Sequence, residues 1–201
     1  MSIRKNLSYG LLAALAVLSI SPTALADAPP SATSIYNLRA KLVDQNGHPQ
    51  QLDAYRGQPV LVSMFYSSCP STCPLLIDTI KSVEAALAPA DRALLRVLLI
   101  SVDPERDTPQ VLRELAASRH LDSARWALAT TDAATVRKVA AVLNVQYRRL
   151  PNGEFNHSSI ITILSPQGEI LKQSSTLGAA DAAVMAALGS AMKLARPTTA
   201  K

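Results

Sequence analysis

Only two cysteines, three histidines and one tryptophan occur among 201 residues, and each scarcity removes a class of function. Cys69 and Cys73 lie four positions apart, and a cross-link over so short a loop takes little entropy from the unfolded chain. Such a bridge is a poor staple and a better switch, so a disulfide-held scaffold is not expected. With no third cysteine, any resolving or exchange partner is another molecule. Aromatic residues make up 4% of the chain, and the basic residues are scattered and not interleaved with them, which argues against nucleic acid as a partner. Apolar runs are also short. Leu11 to Ile20 is less than the roughly 20 residues that cross a bilayer, and no later run is long enough. No internal repeat is present, and no low-complexity segment beyond the two ends.

What the first 26 residues do contain is an export address. Arg4 and Lys5 form a basic start, the short apolar run follows, and Ala24-Leu25-Ala26 supplies the small-x-small triplet that a signal peptidase accepts. Cleavage is expected after Ala26. No cysteine follows that point, so a lipid anchor is not expected, and the mature chain should be soluble in the periplasm. Removing 26 residues leaves 175, and two of the 20 Lys and Arg go with them, so the formal net charge falls from +5 to +3. That length suits one domain with a substantial core.

Residues 27–34 read as a polar, Pro-rich flexible leader, residues 35–195 as the domain and 196–201 as a tail. Ile35 to Val43 and Gln50 to Leu52 predict a β-hairpin with an Asn46-Gly47 turn. Val60 to Tyr66 and Leu94 to Val102 are near-continuous apolar runs of strand length, the pattern of strands buried on both faces of a mostly parallel sheet. Apolar residues recur at helical spacing from Cys73 to Leu87, with Pro74 tolerated in the first turn and Pro89 as a stop. Thr108-Pro109 opens a second helix running to about Arg119. Trp126 to Ala129 predicts a strand, Ala133 to Leu143 a helix, Val145 to Leu150 and Ser159 to Leu164 strands, Glu169 to Lys172 the arm of a closing hairpin, and Ala179 to Ala195 a final helix. Strands alternating with helices, then an antiparallel hairpin and a helix, give an α/β fold of thioredoxin-like type.

In such sheets functional groups gather where strands end and helices begin. Cys69 and Cys73 sit there, in Ser67-Ser68-Cys69-Pro70-Ser71-Thr72-Cys73-Pro74. A helix amino terminus favours the thiolate, which is both the nucleophile and the metal ligand. The pair is therefore suited to disulfide exchange or to a soft metal ion. Two thiolates alone hold Cu(I), whereas Cu(II) also wants an imidazole. His48 falls in a turn and His120 ends a helix. His157 precedes a buried strand, on a loop that in a thioredoxin-like fold packs over the cysteines, and is the candidate third ligand. Asp103 ends a buried strand at the same edge, either facing the site or positioning the Pro104 turn. Met64, Met185 and Met192 fit core patterns and read as packing.

Phe65-Tyr66-Ser67-Ser68-Cys69-Pro70-Ser71-Thr72-Cys73-Pro74, Ser101-Val102-Asp103-Pro104-Glu105-Arg106-Asp107-Thr108-Pro109 and Asn156-His157-Ser158-Ser159 together resemble the signatures of the Sco/SenC family. The resemblance covers roughly residues 40–190. It implies a thioredoxin-like domain with a copper site, Cu(I) or Cu(II), at Cys69, Cys73 and His157. It further implies a role in metallating the binuclear copper centre of cytochrome c oxidase or another exported cuproenzyme, in company with other periplasmic copper chaperones. A thiol-disulfide reductase role for the Cys69–Cys73 pair is implied as well. Family members often carry Asp where this chain has Ser71 and Asn156, which makes the site here less anionic. Two alternatives remain open on the residues alone: a metal-independent periplasmic oxidoreductase or thiol peroxidase, and a passive domain with a structural disulfide.

Overall fold

The apolar segments around Val60 and Leu98 form the middle of one seven-stranded sheet. A computed structural model describes residues 29–70 and 72–196; the expected signal peptide and its cleavage site, Ser71, and the tail beyond Arg196 lie outside the described residues. The strands are β1 Lys41–Asp44, β2 Pro49–Gln51, β3 Val60–Phe65, β4 Arg96–Ser101, β5 Trp126–Thr130, β6 Tyr147–Arg149, β7 Phe155–His157, β8 Ile161–Leu164 and β9 Ile170–Ser174. The helices are α1 Thr72–Ala85, α2 Pro89–Leu94, α3 Pro109–Ser118, α4 Ala133–Val142 and α5 Ala182–Ala195. Among the described residues no helix is long and apolar enough to cross a membrane.

The sheet order is β2-β1-β5-β4-β3-β8-β9. β3, β4 and β5 are parallel, with β2 and β9 running the same way and β1 and β8 opposed. This is the mostly parallel, helix-flanked sheet that the alternating order predicts. Every residue of β3 is buried, because neighbours on both edges and helices on both faces leave it no solvent, which is why it reads as unbroken hydrophobic sequence.

Topology also selects the functional edge. β3 and β4 are adjacent and parallel, so the loops that leave them, 66–71 and 102–108, are neighbours. β8 runs antiparallel to β3 with Val62 opposite Thr162, which brings the chain entering β8 alongside the chain leaving β3. Ser63 Oγ donates to the Ile160 carbonyl at 2.7 Å and fixes that crossing. His157, four residues before Ile161, is thereby delivered next to the cysteine loop. β6 and β7 stand apart as a two-stranded ribbon, with Tyr147 opposite His157 and Arg149 opposite Phe155.

Four local expectations differ from what forms. Ile35–Leu38 is a 3-10 helix, not a strand: Ser34 Oγ accepts the Tyr36 amide at 3.2 Å, and Arg39 stops the turn with φ 48°. Ser34 is itself buried and donates to the Gln167 carbonyl at 2.6 Å, which ties this turn to the β8–β9 hairpin. In the first hairpin only Gly47 takes a left-handed φ, 82°, and Asn46 does not; the Asp44 carboxylate accepts the amides of Asn46 and His48 at 2.9 and 2.8 Å and shapes the turn instead. Pro89 does not merely end a helix but starts α2, where a residue without an N–H leaves nothing unsatisfied. Phe155–His157, expected to be loop, pairs as β7. The Thr108 cap forms as expected, its Oγ1 accepting the Val111 amide at 3.3 Å.

Gly168 turns the β8–β9 hairpin with φ +82°, and its position tests the packing of the amino-terminal segment. A Cβ there would lie 2.6 Å from Ser34 Oγ and against the buried Tyr36 ring, whereas a Cβ at Gly57, φ +83°, meets nothing within 4 Å. Gly57→Ala should cost about 1–2 kcal/mol, the left-handed strain alone, and Gly168→Ala about 1–3 kcal/mol more from overpacking. Urea unfolding of both variants separates the two contributions.

Candidate metal centre

Cys69 lies in the loop after β3, Cys73 in the first turn of α1 and His157 at the end of β7. Their ligand atoms all fall within 4.8 Å of one another. Cys73 is buried and Cys69 half-buried, and neither is in a disulfide. The Cys73 amide, one of the donors left over at the start of a helix, reaches Cys69 Sγ at 3.3 Å. Cys73 Sγ sits 3.7 Å from His157 Nε2. An ion bonded to sulfur at about 2.3 Å and to imidazole nitrogen at about 2.0 Å, as zinc is, bridges a gap of that size.

The imidazole is preset for this task. Its Nδ1 lies 3.2 Å from the Ser158 carbonyl, and because a carbonyl only accepts, Nδ1 carries the proton and Nε2 presents its lone pair toward Cys73. Burial pushes the His157 pKa down, opposed by that carbonyl, which favours the neutral form that ligates. Tyr66 packs edge-on against His157, with ring centroids 5.7 Å apart, and against Phe155 at 5.5 Å. Its hydroxyl donates to the Phe155 carbonyl at 3.3 Å.

One electrostatic expectation is reversed. Burial raises the Cys73 thiol well above its usual range, a backbone hydrogen bond from Tyr66 opposing it only in part. The helix amino terminus does not overcome desolvation at this sulfur, since its amide is directed to Cys69. A bound cation replaces the proton and cancels the burial penalty, so Cys73 suits a metal better than it suits unaided nucleophilic attack.

The other candidates resolve clearly. His48 is an exposed turn residue beside Asp44, 3.6 Å away. His120 closes α3 through its backbone, at φ 52° with its N–H on the Ala117 carbonyl. Met64 and Met192 are buried in the core and Met185 packs against it. Asn156 is exposed and, by strand alternation, on the ribbon face opposite His157. Asp103 is buried, ion-paired with Arg106 and not part of the cluster of Cys69, Cys73 and His157, so it is a positioning group.

Asp107 holds the site together without being legible in the sequence as a functional residue. Its carboxylate, wholly buried, accepts the Ser67 amide at 3.0 Å and the hydroxyls of Ser67 and Ser101. Burial raises its pKa while these hydrogen bonds pull it down. The repeated acid of Asp103-Pro104-Glu105-Arg106-Asp107 was the available signal, but nothing local says that the second acid reaches back to the cysteine loop.

A profile of the SCO1/SenC family matches residues 30–193. The chain belongs to that family. An SCO2-like protein of Rickettsia prowazekii is 29% identical over 138 residues, which cover 66% of this chain and 65% of the relative; the chain thus spans just under two thirds of that relative. The SCO1 homolog of Bacillus subtilis is 26% identical over 132 residues, covering 64% and 68%. Among solved structures, copper-bound ScoI of Bradyrhizobium japonicum aligns with TM-score 0.62 and 25% identity, covering 77% of this chain and 96% of that one. BsSco, described as having a disulfide switch and as one of the cytochrome c oxidase assembly proteins, aligns with TM-score 0.64 and 23% identity over 77% and 91%. These likenesses establish the thioredoxin-like fold of this Sco chain.

The unequal exposure of the two sulfurs has a direct consequence. Iodoacetamide should modify Cys69 at least about tenfold faster than Cys73 in the metal-free protein at pH 8, because reaction needs an accessible thiolate. Peptide mapping of partly alkylated protein checks the order.

Proposed function

We propose that this protein is a periplasmic Sco copper carrier that holds one copper ion through Cys69, Cys73 and His157 and serves assembly of the binuclear copper centre of cytochrome c oxidase. The observation that carries the reading is the convergence of two sulfurs and one imidazole nitrogen within 4.8 Å. The donor set fits the ion: soft thiolates suit Cu(I), and the imidazole extends the site to Cu(II). Copper-bound relatives from a bacterium and from yeast support it, as does a similar protein of Stutzerimonas stutzeri described as copper-binding, 33% identical over 73 residues. The amino-terminal export signal supports the compartment.

Copper is cargo here, and the chain's task is to hold it reversibly. Half-buried Cys69 is the sulfur a client thiolate reaches first, while the buried Cys73, with His157, retains the ion until exchange is under way. The same pair supports a reductase step. The Cys69 thiolate attacks one sulfur of a client disulfide and releases the other as a thiolate, which takes up a proton. Cys73 then loses its proton and displaces the client, leaving a Cys69–Cys73 disulfide and a client dithiol, two electrons transferred in all. The disulfide switch ascribed to BsSco favours this second role.

The reduced mature protein should bind one copper, with a thiolate-to-Cu(II) charge-transfer band. His157→Ala should abolish that band and weaken Cu(II) binding about 100-fold or more, while Cu(I) on the two sulfurs survives. An unchanged Cu(II) spectrum removes His157 from the ligand set. Deletion should lower cytochrome c oxidase activity most under copper limitation, with Cys69→Ser or Cys73→Ser failing to restore it; normal oxidase alongside sensitivity to disulfide stress would replace this reading with the metal-independent oxidoreductase.

A further inference from the structure

The loop 103–107 provides no ligand, yet it grips both segments that do. On one side Asp107 holds the cysteine loop through Ser67. On the other, the Arg106 guanidinium spans two partners: Nε donates to the buried Asp103 carboxylate, and Nη2 donates to the Gly153 carbonyl at 2.6 Å. Gly153 is the turn residue between β6 and β7, the ribbon that carries His157.

That ribbon lies outside the main sheet and pairs over only three rungs; an isolated two-stranded hairpin is marginal in water, so its attachments decide where His157 sits. At its base Tyr66 packs on Phe155 and His157, and the Ser158 amide donates to the Gln146 carbonyl at 2.9 Å. At its tip two polar contacts tie it to the 103–107 loop among the described residues. The Arg149–Glu105 pair is exposed at both ends, 51% and 69%, and such pairs hold little. Arg106 is different at one end: it is itself 39% exposed and its bond to Gly153 lies at the surface, but its Asp103 partner is 1% exposed and cannot turn to water instead.

We propose that Arg106 is a positioning residue for the metal centre: by clamping the Gly153 carbonyl to buried Asp103 it fixes the His157 imidazole relative to the two sulfurs. The planar guanidinium is needed because two of its donors, Nε and Nη2, held rigidly in one plane, serve the two acceptors at once, which a single ammonium on a flexible stem does not reproduce. The clamp acts on the imidazole and not on the sulfurs, which Asp107 anchors separately. It therefore biases the site toward the oxidation state that depends on the imidazole, Cu(II), with little effect on Cu(I). This step rests on the ligand assignment proposed above.

Arg106→Lys keeps a positive charge beside Asp103 and so protects the fold, while Arg106→Gln removes the charge; Arg149→Ala is the control for the exposed pair. In the metal-free protein, hydrogen exchange at the ribbon amides of Leu150 and Gly153 should quicken about tenfold in Arg106→Lys, with core β3 amides unchanged. Cu(II) affinity should fall about 10-fold, the usual reach of a residue that orients a ligand, with Cu(I) affinity changed less than about twofold, and Arg149→Ala should leave all three readings within about twofold of the parent. Unchanged ribbon exchange in a folded Arg106→Lys or Arg106→Gln protein overturns the proposal, as does an equal loss of Cu(I) and Cu(II). Because exchange is read without copper, failure of the clamp is distinguishable from failure of the ligand assignment, which His157→Ala tests alone.

Discussion

Asp107 is a carboxylate with no exposure to solvent, and the arrangement of the functional edge hangs on it. A charge cannot stay buried without partners, so the chain provides them: the Ser67 amide and hydroxyl from the loop after β3, and the Ser101 hydroxyl from the end of β4. Each hydrogen bond to a charged group is worth about 1.5–3 kcal/mol, and together they fasten the cysteine loop to the neighbouring strand. The parallel pairing of β3 with β4 makes this reachable, since it sets the two exit loops side by side. A sheet in which these strands were separated by a third would place Asp107 beyond reach of Ser67.

The same loop faces the other way through Asp103 and Arg106. Two acids four apart, with an arginine between them, therefore join the thiol half of the site to the imidazole half. Neither acid belongs to the cluster of Cys69, Cys73 and His157, so a sequence signature can accompany a candidate metal site without supplying one of its donor atoms. Ser71 lies outside the described residues, and Asn156 faces away from the sulfurs, so the loss of an acid at 156 alters charge on the outer face of the ribbon.

Burial divides the labour between the two sulfurs. Cys73 is enclosed and its proton held tightly, whereas Cys69 is half-open and receives the helix amide. A site meant to release its ion needs one accessible door, and a site meant to keep it until then needs an enclosed remainder. For the carrier role proposed above, both demands are met by the loop after β3 and the first turn of α1. The aromatic wall of Tyr66 and Phe155 supplies the low-dielectric surroundings that keep His157 neutral and ready to ligate.

By itself the sequence determined the periodic parts. The apolar runs of β3 and β4 announce a sheet buried on both faces, Thr108-Pro109 announces a helix start, and the Cys69, Cys73 and His157 motifs announce the chemistry, because each of these depends on residues close together in the chain. Tertiary structure alone decided what depends on distant neighbours. Ile35–Leu38 curls into a 3-10 turn because Ser34 and Tyr36 dock on the Gly168 turn. Phe155–His157 becomes a strand because Tyr147–Arg149 lies across from it. The Cys73 thiol rises, against the pull of its helix, because the sheet and the imidazole ribbon close over it, and desolvation is a property of everything within a few ångströms, which no local stretch of sequence records.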